Sequence, residues 1–518
     1  MMHTLFEPYQ VEAYSDFSQQ SVADNYRRHL ADVRTQLGKD HPLVIDGQNI
    51  ETGRWLSSYN PCDTSQVVGR SAMAGTAEVE KAMNAAWRAY ADWSQLGMEV
   101  RARYLVKLAA IMRRRKHELA AWETFEAAKN YLEAEADVCE AIDFAEYYAR
   151  QALKLAGPLP TYDYPGEENS SFLQPMGVGV VIPPWNFLLA ILVGSTVGPV
   201  VVGNTTIVKP SPDTPIIAHK FMECVAEAGF PPGVINLVTG ADAEIGDYLV
   251  DHPRTRFINF TGSMQTGMRI YERAAKVHPG QQWLKKCFLE MGGKDGLIVD
   301  ETVDLDEAAA MATASAFGFQ GQKCSAMSRL IVVESVYDAL LEKFVARSSS
   351  LRVGAAEDNA DVAAVINQKA EDKIMHYLEQ GKQSSRLVLG GDKAAGPGHF
   401  IQPTIFADVP PDAAIAQEEI FGPVVAVIKA KDFDDALNIA NGTTFGLTGG
   451  LLSKDRSRLE RARREFHVGN LYLNRKITGS LVGIQPFGGF KLSGTNSKAG
   501  GPDYVRLFME MKSVSEYF

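Results

Sequence analysis

Cysteine is scarce in this 518-residue chain, with five residues at positions 62, 139, 224, 287 and 324, and no two share a CxxC spacing. That excludes a disulfide framework and a cysteine-built zinc site, and no metal site is expected; the usage suits a reducing cytoplasm. Positive charge is in deficit, with a formal net charge of −11. A general nucleic-acid or anionic-membrane binder is therefore not expected, because such surfaces need clustered Lys and Arg. The one dense basic run, Arg113-Arg114-Arg115-Lys116, reads as a solvated helix face. Long apolar runs are missing too. The nearest, Phe187 to Val202, follows Pro183-Pro184 and is broken by Gly194, Gly198 and Pro199, so it reads as a buried helix leading to a strand. The first residues lack a basic segment followed by an apolar stretch, so no secretory leader is expected. There is no internal repeat and no GxGxxG.

What is present is α/β texture on a scale that calls for two or three domains. The first forty or so residues are polar and end in an extended-looking segment, Leu43 to Gly47. From Thr76 to about Leu155, apolar positions recur at helical spacing. From Gly177 short β-rich runs take over: 178–182, 205–209, 234–238 and 257–260, with helical stretches at 216–229 and 243–252 between them. This alternation predicts a parallel, doubly wound sheet with a ligand at the C-terminal strand ends. A second alternating block, with runs at 296–299, 329–333 and 422–427, follows Glu290. The final stretch, Lys512 to Phe518, is expected to add a strand to another element or subunit.

Two residues stand out chemically. Cys324 lies in Gly318-Phe319-Gln320-Gly321-Gln322-Lys323-Cys324-Ser325-Ala326, and Glu290 in Leu289-Glu290-Met291-Gly292-Gly293-Lys294. A cysteine among small and polar neighbours is approachable, and a carboxylate is a candidate base. Taken alone, Cys324 reads more readily as a small buried hydrophobe. Five other segments accompany the pair: Pro184-Trp185-Asn186-Phe187, Val208-Lys209-Pro210-Ser211, Phe260-Thr261-Gly262-Ser263, Glu418-Glu419-Ile420-Phe421-Gly422-Pro423 and Pro486-Phe487-Gly488-Gly489. In this order they resemble the aldehyde dehydrogenase superfamily over nearly the whole chain. Three features resemble the branch that oxidises glutamate 5-semialdehyde to glutamate: the N-terminal extension, the run Lys476 to Gln485, and Ser325 after the cysteine.

The resemblance implies an aldehyde dehydrogenase-like fold. Its parts would be an N-terminal extension and helical portion over 1–155, the first part of an oligomerisation arm over 156–174 and a Rossmann-type NAD-binding domain over 175–289. A second α/β catalytic domain over 290–490 and a C-terminal tail with an oligomerisation strand over 491–518 would follow. It implies Cys324 as nucleophile, Glu290 as the base that activates water, and Asn186 with the Cys324 N–H as oxyanion donors. For NAD it implies Ile182, Pro184, Trp185, Lys209, Gly246, Phe260, Thr261, Gly262, Ser263, Gly292, Glu419 and Phe421, the pyrophosphate lying over a helix opened by Gly262-Ser263. Many NAD-preferring members carry a glutamate three residues after the strand-end lysine; here that position is Pro212.

For the substrate, the resemblance implies backbone N–H groups of Gly479 and Ser480 on the carboxylate, with Lys323 and the Ser325 hydroxyl beside them. Phe187 and Phe487 would be aromatic walls, and Glu140 a sensor of the ammonium. Ser480 stands where the branch usually has alanine. Phe187 and Phe487 read equally as ordinary core. The expected activity is NAD-dependent oxidation of L-glutamate 5-semialdehyde, the second step of proline degradation. The expected assembly is a homo-oligomer, with proline dehydrogenase as a possible partner. A dehydrogenase of another ω-semialdehyde, such as glutarate or succinate semialdehyde, stays open. So does a binding protein that kept the fold and lost the chemistry, which the full residue set argues against. No flavin-barrel-sized segment precedes residue 40, so the dehydrogenase alone is expected.

Overall fold

The computed structural model describes residues 6–518. Two seven-stranded sheets organise it. The first runs in the order Lys286–Glu290, Phe257–Thr261, Val178–Ile182, Thr205–Val208, Ile235–Leu237, Leu43–Ile45, Gln48–Ile50. Its first five strands are parallel, and the two N-terminal ones close the edge antiparallel. Val178–Ile182, Thr205–Val208 and Ile235–Leu237 progress in one direction, and Phe257–Thr261 returns to the other side of Val178–Ile182. A crevice opens at such a reversal, outside the C-terminal strand ends. Parallel strands covered on both faces need apolar runs instead of alternation; Thr205–Val208 and Ile235–Leu237 are buried throughout.

The second sheet runs Arg386–Leu389, Thr404–Ala407, Val424–Ala430, Met327–Val333, Asp295–Val299, Thr448–Leu452, Asn470–Leu473, parallel except for its first strand. Cys324 lies just before Met327–Val333, and Phe421 just before Val424–Ala430. The N-terminal edge of this sheet therefore carries the cysteine, and the C-terminal edge of the first carries Glu290.

Helices Thr76–Trp93, Met98–Arg114, Lys116–Ala127 and Tyr131–Lys154 form the layer expected from helical spacing. The apolar run beginning at Phe187 supplies the buried helix Ala190–Val201 and leads to the strand Thr205–Val208. No helix among the described residues is long and apolar enough to cross a membrane.

The stretch 243–252 is helical as expected, a π-turn, Asp242–Gly246, followed by the short helix Asp247–Asp251. Two expectations are corrected. Residues 20–34, read only as polar, form a helix that buries Ala23, Tyr26, Leu30 and Val33 on one stripe. The basic run is not a free solvated face, because it straddles the break between two helices and each member meets a carboxylate. Arg113 pairs with Glu12 and Glu146, Arg114 with Glu227, Arg115 with Glu118 and Glu223, and Lys116 with Glu135.

Outside the two sheets, Met509–Tyr517 pairs antiparallel with Glu167–Pro175, which also pairs with Pro158–Leu159. The C-terminal strand thus joins an element of its own chain. Upstream of it, residues 493–497 fold back onto Leu289–Met291, with Met291 N–H donating to Ser493 O (2.8 Å) and Thr495 N–H to Leu289 O (2.8 Å).

Candidate active site

Between the two sheet edges lies a cleft of about 750 Å³, lined from Lys209 at one end to Cys324 at the other. All twelve residues expected at the nucleotide, Ile182 through Phe421, line it. Register explains the first group: Ile182 pairs with Phe260, and Thr261 with Glu290, all at strand ends. Ser263 caps the helix Met264–Ala274, its hydroxyl accepting from Thr266 N–H (3.2 Å). That places a helix N-terminus, with its unpaired N–H groups, on the cleft wall, where a phosphate is stabilised.

Lys209 is buried, and its ammonium pairs with Asp242 from the π-turn. The lysine follows the strand Thr205–Val208 and is already paired within the chain. Asp242 and Asp213 both line this end beside Pro212. Asn367 holds Asp213 (2.8 Å) while capping the helix Gln368–Ser384. Neither aspartate is part of the expected set. Asn367 ahead of Gln368-Lys369-Ala370 is an N-cap pattern that could have marked that helix start, and it went unread.

At the other end, Glu419 accepts from Gly293 N–H (3.0 Å), and burial pushes its carboxyl up. A methyl group on Gly292 would lie 2.4 Å from the Glu419 oxygens, and one on Gly293 2.4 Å from Cys324 O. Two glycines let the chain pass between the carboxylate and the cysteine loop. Phe421 packs edge-on to Trp185 (5.3 Å) and holds a left-handed φ of 64°. That conformation is unusual for a bulky residue and marks a site over-determined by its surroundings.

The cysteine loop is left-handed over three residues, with φ of 49° at Phe319, 56° at Gln320 and 68° at Gly321. Such residues cost about 1–2 kcal/mol each outside glycine. Gln320 offsets this by donating to Ala128 O (3.0 Å) and Ala364 O (2.9 Å), and the Gln322 side chain accepts from Ile366 N–H (2.9 Å). Cys324 is half-buried. Burial, with Asp295, Glu419 and Glu290 nearby, pushes its thiol well above the usual range. Asn186 donates one amide hydrogen to Gln322 O (3.0 Å); the other remains for a ligand.

Glu290 is buried at the end of Lys286–Glu290. Its Oε1 accepts from Ser497 Oγ (2.7 Å) and Ser497 N–H (3.3 Å), while Oε2 has no partner among the described residues. Burial raises the carboxyl to about 7, and the Ser497 bonds oppose that rise. Nothing in the sequence around Ser497 pointed to this contact. Asp295, also unforeseen, is buried, holds Thr448 N–H (2.7 Å) and is pushed far up by burial.

The expected substrate residues come from scattered segments. The N–H groups of Gly479 and Ser480 meet no acceptor among the described residues, whereas the Thr478 and Gly479 carbonyls are taken by Arg475 (3.3 and 3.2 Å). The Ser480 hydroxyl turns inward to Gln485 O (2.5 Å), which leaves its backbone donor alone available. Lys323 pairs with Glu133 (2.6 Å). Phe187 lies 4.9 Å from the Lys129 ammonium, which also pairs with the buried Asp137. Phe187 and Phe487 are half-buried, and so is Glu140, raised to about 8 by burial. Ser325 is buried, and its carbonyl accepts from Thr448 Oγ1 (3.4 Å).

Known proteins share this architecture and sequence. The aldehyde dehydrogenase family pattern matches residues 49–514. A 1-pyrroline-5-carboxylate dehydrogenase of Geobacillus kaustophilus (strain HTA426) is 55% identical over 515 residues, 99% of this chain and 100% of that protein. The solved structure of 1-pyrroline-5-carboxylate dehydrogenase from Thermus with bound NAD superposes with a TM-score of 0.98 at 54% identity, covering 99% of this chain and 100% of that one. Proline utilization A from Bdellovibrio bacteriovorus gives a TM-score of 0.96 at 43% identity, covering 98% of this chain but 53% of that longer one. The chain belongs to the aldehyde dehydrogenase family.

Proposed function

We propose that this enzyme oxidises L-glutamate 5-semialdehyde, in equilibrium with 1-pyrroline-5-carboxylate, to L-glutamate with NAD as hydride acceptor, the second step of proline degradation. One observation carries the chemistry: a nucleotide-sized cleft that begins at a helix N-terminus ends on Cys324, electrostatically coupled to a buried carboxyl raised to about 7. The Geobacillus and Thermus relatives, 54–55% identical over the full length, support the substrate. So does the Gly479-Ser480 turn, whose two N–H groups meet no acceptor among the described residues and are donors of the kind that bind carboxylates.

The cleft fits NAD: apolar side chains Ile182, Trp185 and Phe421 wall it, with Lys209 and Glu419 at opposite ends. Glu290, or water beside it, takes the Cys324 proton, and sulfur bonds to the aldehyde carbon. The new oxyanion meets the second Asn186 amide hydrogen and the Cys324 N–H, donors of a kind worth about 10²–10³ in rate each. NAD held along this cleft would supply the hydride acceptor that collapse of this adduct to a thioester requires. Glu290, once it has passed that first proton to solvent, removes a proton from water, whose oxygen displaces the Cys324 thiolate from the thioester. A thiol held protonated by burial needs such a base.

We place the enzyme in the cytoplasm as a homo-oligomer. Exposed Tyr162, Tyr517 and Phe518 on the Glu167–Pro175 and Met509–Tyr517 arm support an assembly there. The likeness to about half of a longer proline-utilization chain supports a partner that acts on proline.

The test is steady-state kinetics on glutamate 5-semialdehyde, succinate semialdehyde and glutarate semialdehyde. The expected kcat/KM favours the ammonium-bearing substrate by at least about tenfold. Equal values for all three would overturn the substrate assignment and leave the chemistry standing.

A further inference from the structure

Residues 6–19, which precede the helix Gln20–Arg34, are irregular, yet they are tied down at several points. Glu12 N–H donates to Asp143 (2.9 Å), Ser15 N–H to Glu135 (2.9 Å), and Arg150 to Glu7 O (2.8 Å). These contacts lay the segment along the helix Tyr131–Lys154. One contact does something else. The Tyr9 hydroxyl donates to Val482 O (3.0 Å), across 473 positions of sequence.

Val482 belongs to the turn that presents Gly479 and Ser480. That turn is closed on itself: Ser480 Oγ donates to Gln485 O (2.5 Å), Leu481 N–H to the Gln485 side chain (2.9 Å), and Gln485 N–H to Leu481 O (2.9 Å). These bonds tie residues 480–485 into one unit. Gly483, with φ of 76°, wedges between the Tyr9 and Tyr147 rings; a methyl group there would sit 3.0 and 2.8 Å from them. The two rings themselves meet edge-on at 5.2 Å. On the inner side, Gly483 N–H donates to Gly500 O (2.9 Å), and Gly500 N–H to the Tyr148 hydroxyl (2.8 Å). Tyr9 is thus an outer clamp on the turn and touches neither Cys324 nor the nucleotide cleft.

We infer that Tyr9 is a positioning and specificity-determining residue: its hydroxyl fixes the Val482 carbonyl and so holds the Gly479 and Ser480 N–H groups where an aldehyde's remote carboxylate binds. The inference rests on the reading of that turn as the carboxylate site. It makes the N-terminal segment a device for selecting carboxylate-bearing aldehydes rather than packing alone.

The full chain carrying Tyr9→Phe keeps the ring against Tyr147 and Gly483 and loses only the hydroxyl. Kinetics are measured with glutamate 5-semialdehyde and with propanal, which has no carboxylate, alongside a thermal melt. The expected result is a KM for the semialdehyde raised about three- to tenfold, the effect of one lost hydrogen bond. Its kcat, the KM for NAD and kcat/KM for propanal stay unchanged. A parallel loss on both aldehydes with a lowered melting temperature would overturn the inference, since that is a folding role. An unchanged KM in a wild-type background that clearly prefers the semialdehyde would also overturn it while leaving the turn's assignment intact. A wild-type enzyme with no preference between the two aldehydes would remove the turn's assignment, and the inference with it.

Discussion

At the nucleotide end of the cleft, Ile182, Lys209, Phe260 and Thr261 are each the last residue of a parallel strand or a close neighbour of that end. At the aldehyde end, Gly479, Ser480, Phe487 and Ser497 come from irregular segments. Side-chain and turn hydrogen bonds hold these together. Ladder hydrogen bonds and the parallel register fix the first group whatever its side chains are. The second group depends on particular atoms, such as the Ser497 hydroxyl on Glu290 and the Gln320 amide behind the cysteine. The nucleotide end should therefore survive single substitutions that disable the aldehyde end.

The largest break comes from Cys324→Ala. Loss of the nucleophile should lower aldehyde-dependent NADH formation by at least about 10⁴-fold, while NAD affinity by calorimetry stays within about twofold. Near-normal turnover would remove Cys324 from the chemistry; lost NAD binding would show that the two ends are not independent.

Next in size is Glu290→Gln. The first turnover should still give an NADH burst, with steady-state hydrolysis slowed by about 10²–10⁴-fold. The pH profile supplies the sign. Burial holds the Glu290 carboxyl at about 7, so below that pH it keeps its proton and cannot take one from water. Wild-type hydrolysis should then fall about tenfold per pH unit on the acid side and level off above. A mutant with no burst, or a wild-type rate already level well below pH 7, would exclude Glu290 as this base.

The same contrast governs what the sequence could reveal. Strand–helix alternation pointed to a ligand at the C-terminal strand ends, because such ends are found by counting along β-rich runs. Cys324 and Glu290 were legible from the residues that flank them, and the Gly262-Ser263 helix start from the family resemblance. Ser497, Asp295 and Asp242 were not, since each acts through a contact set by tertiary packing more than thirty residues away. The helix at 20–34 escaped because its stripe of four apolar residues is embedded in a strongly polar segment, and stripes that narrow are defined by the surface they cover. The basic run at 113–116 misled for a related reason: the carboxylates that meet it lie on other helices and on the N-terminal segment.

One side chain at the nucleotide end does depend on an atom rather than on register, and it sharpens the comparison. Asp242 is largely exposed and pairs with the buried Lys209, beside Pro212 on the cleft lining. Its charge balances the lysine and would oppose a second phosphate on a ribose bound at this end. Unit charges about 4 Å apart interact by about 1 kcal/mol in water and about 4 kcal/mol near a protein surface. Asp242→Asn should therefore lower the NAD-over-NADP ratio of kcat/KM by about fivefold, mainly through a lower KM for NADP. Because the buried Lys209 would lose its partner, the melting temperature should fall as well. A loss of equal size for both cofactors would make Asp242 an anchor for Lys209 with no part in selecting the nucleotide, and the nucleotide end would then be fixed by strand register alone.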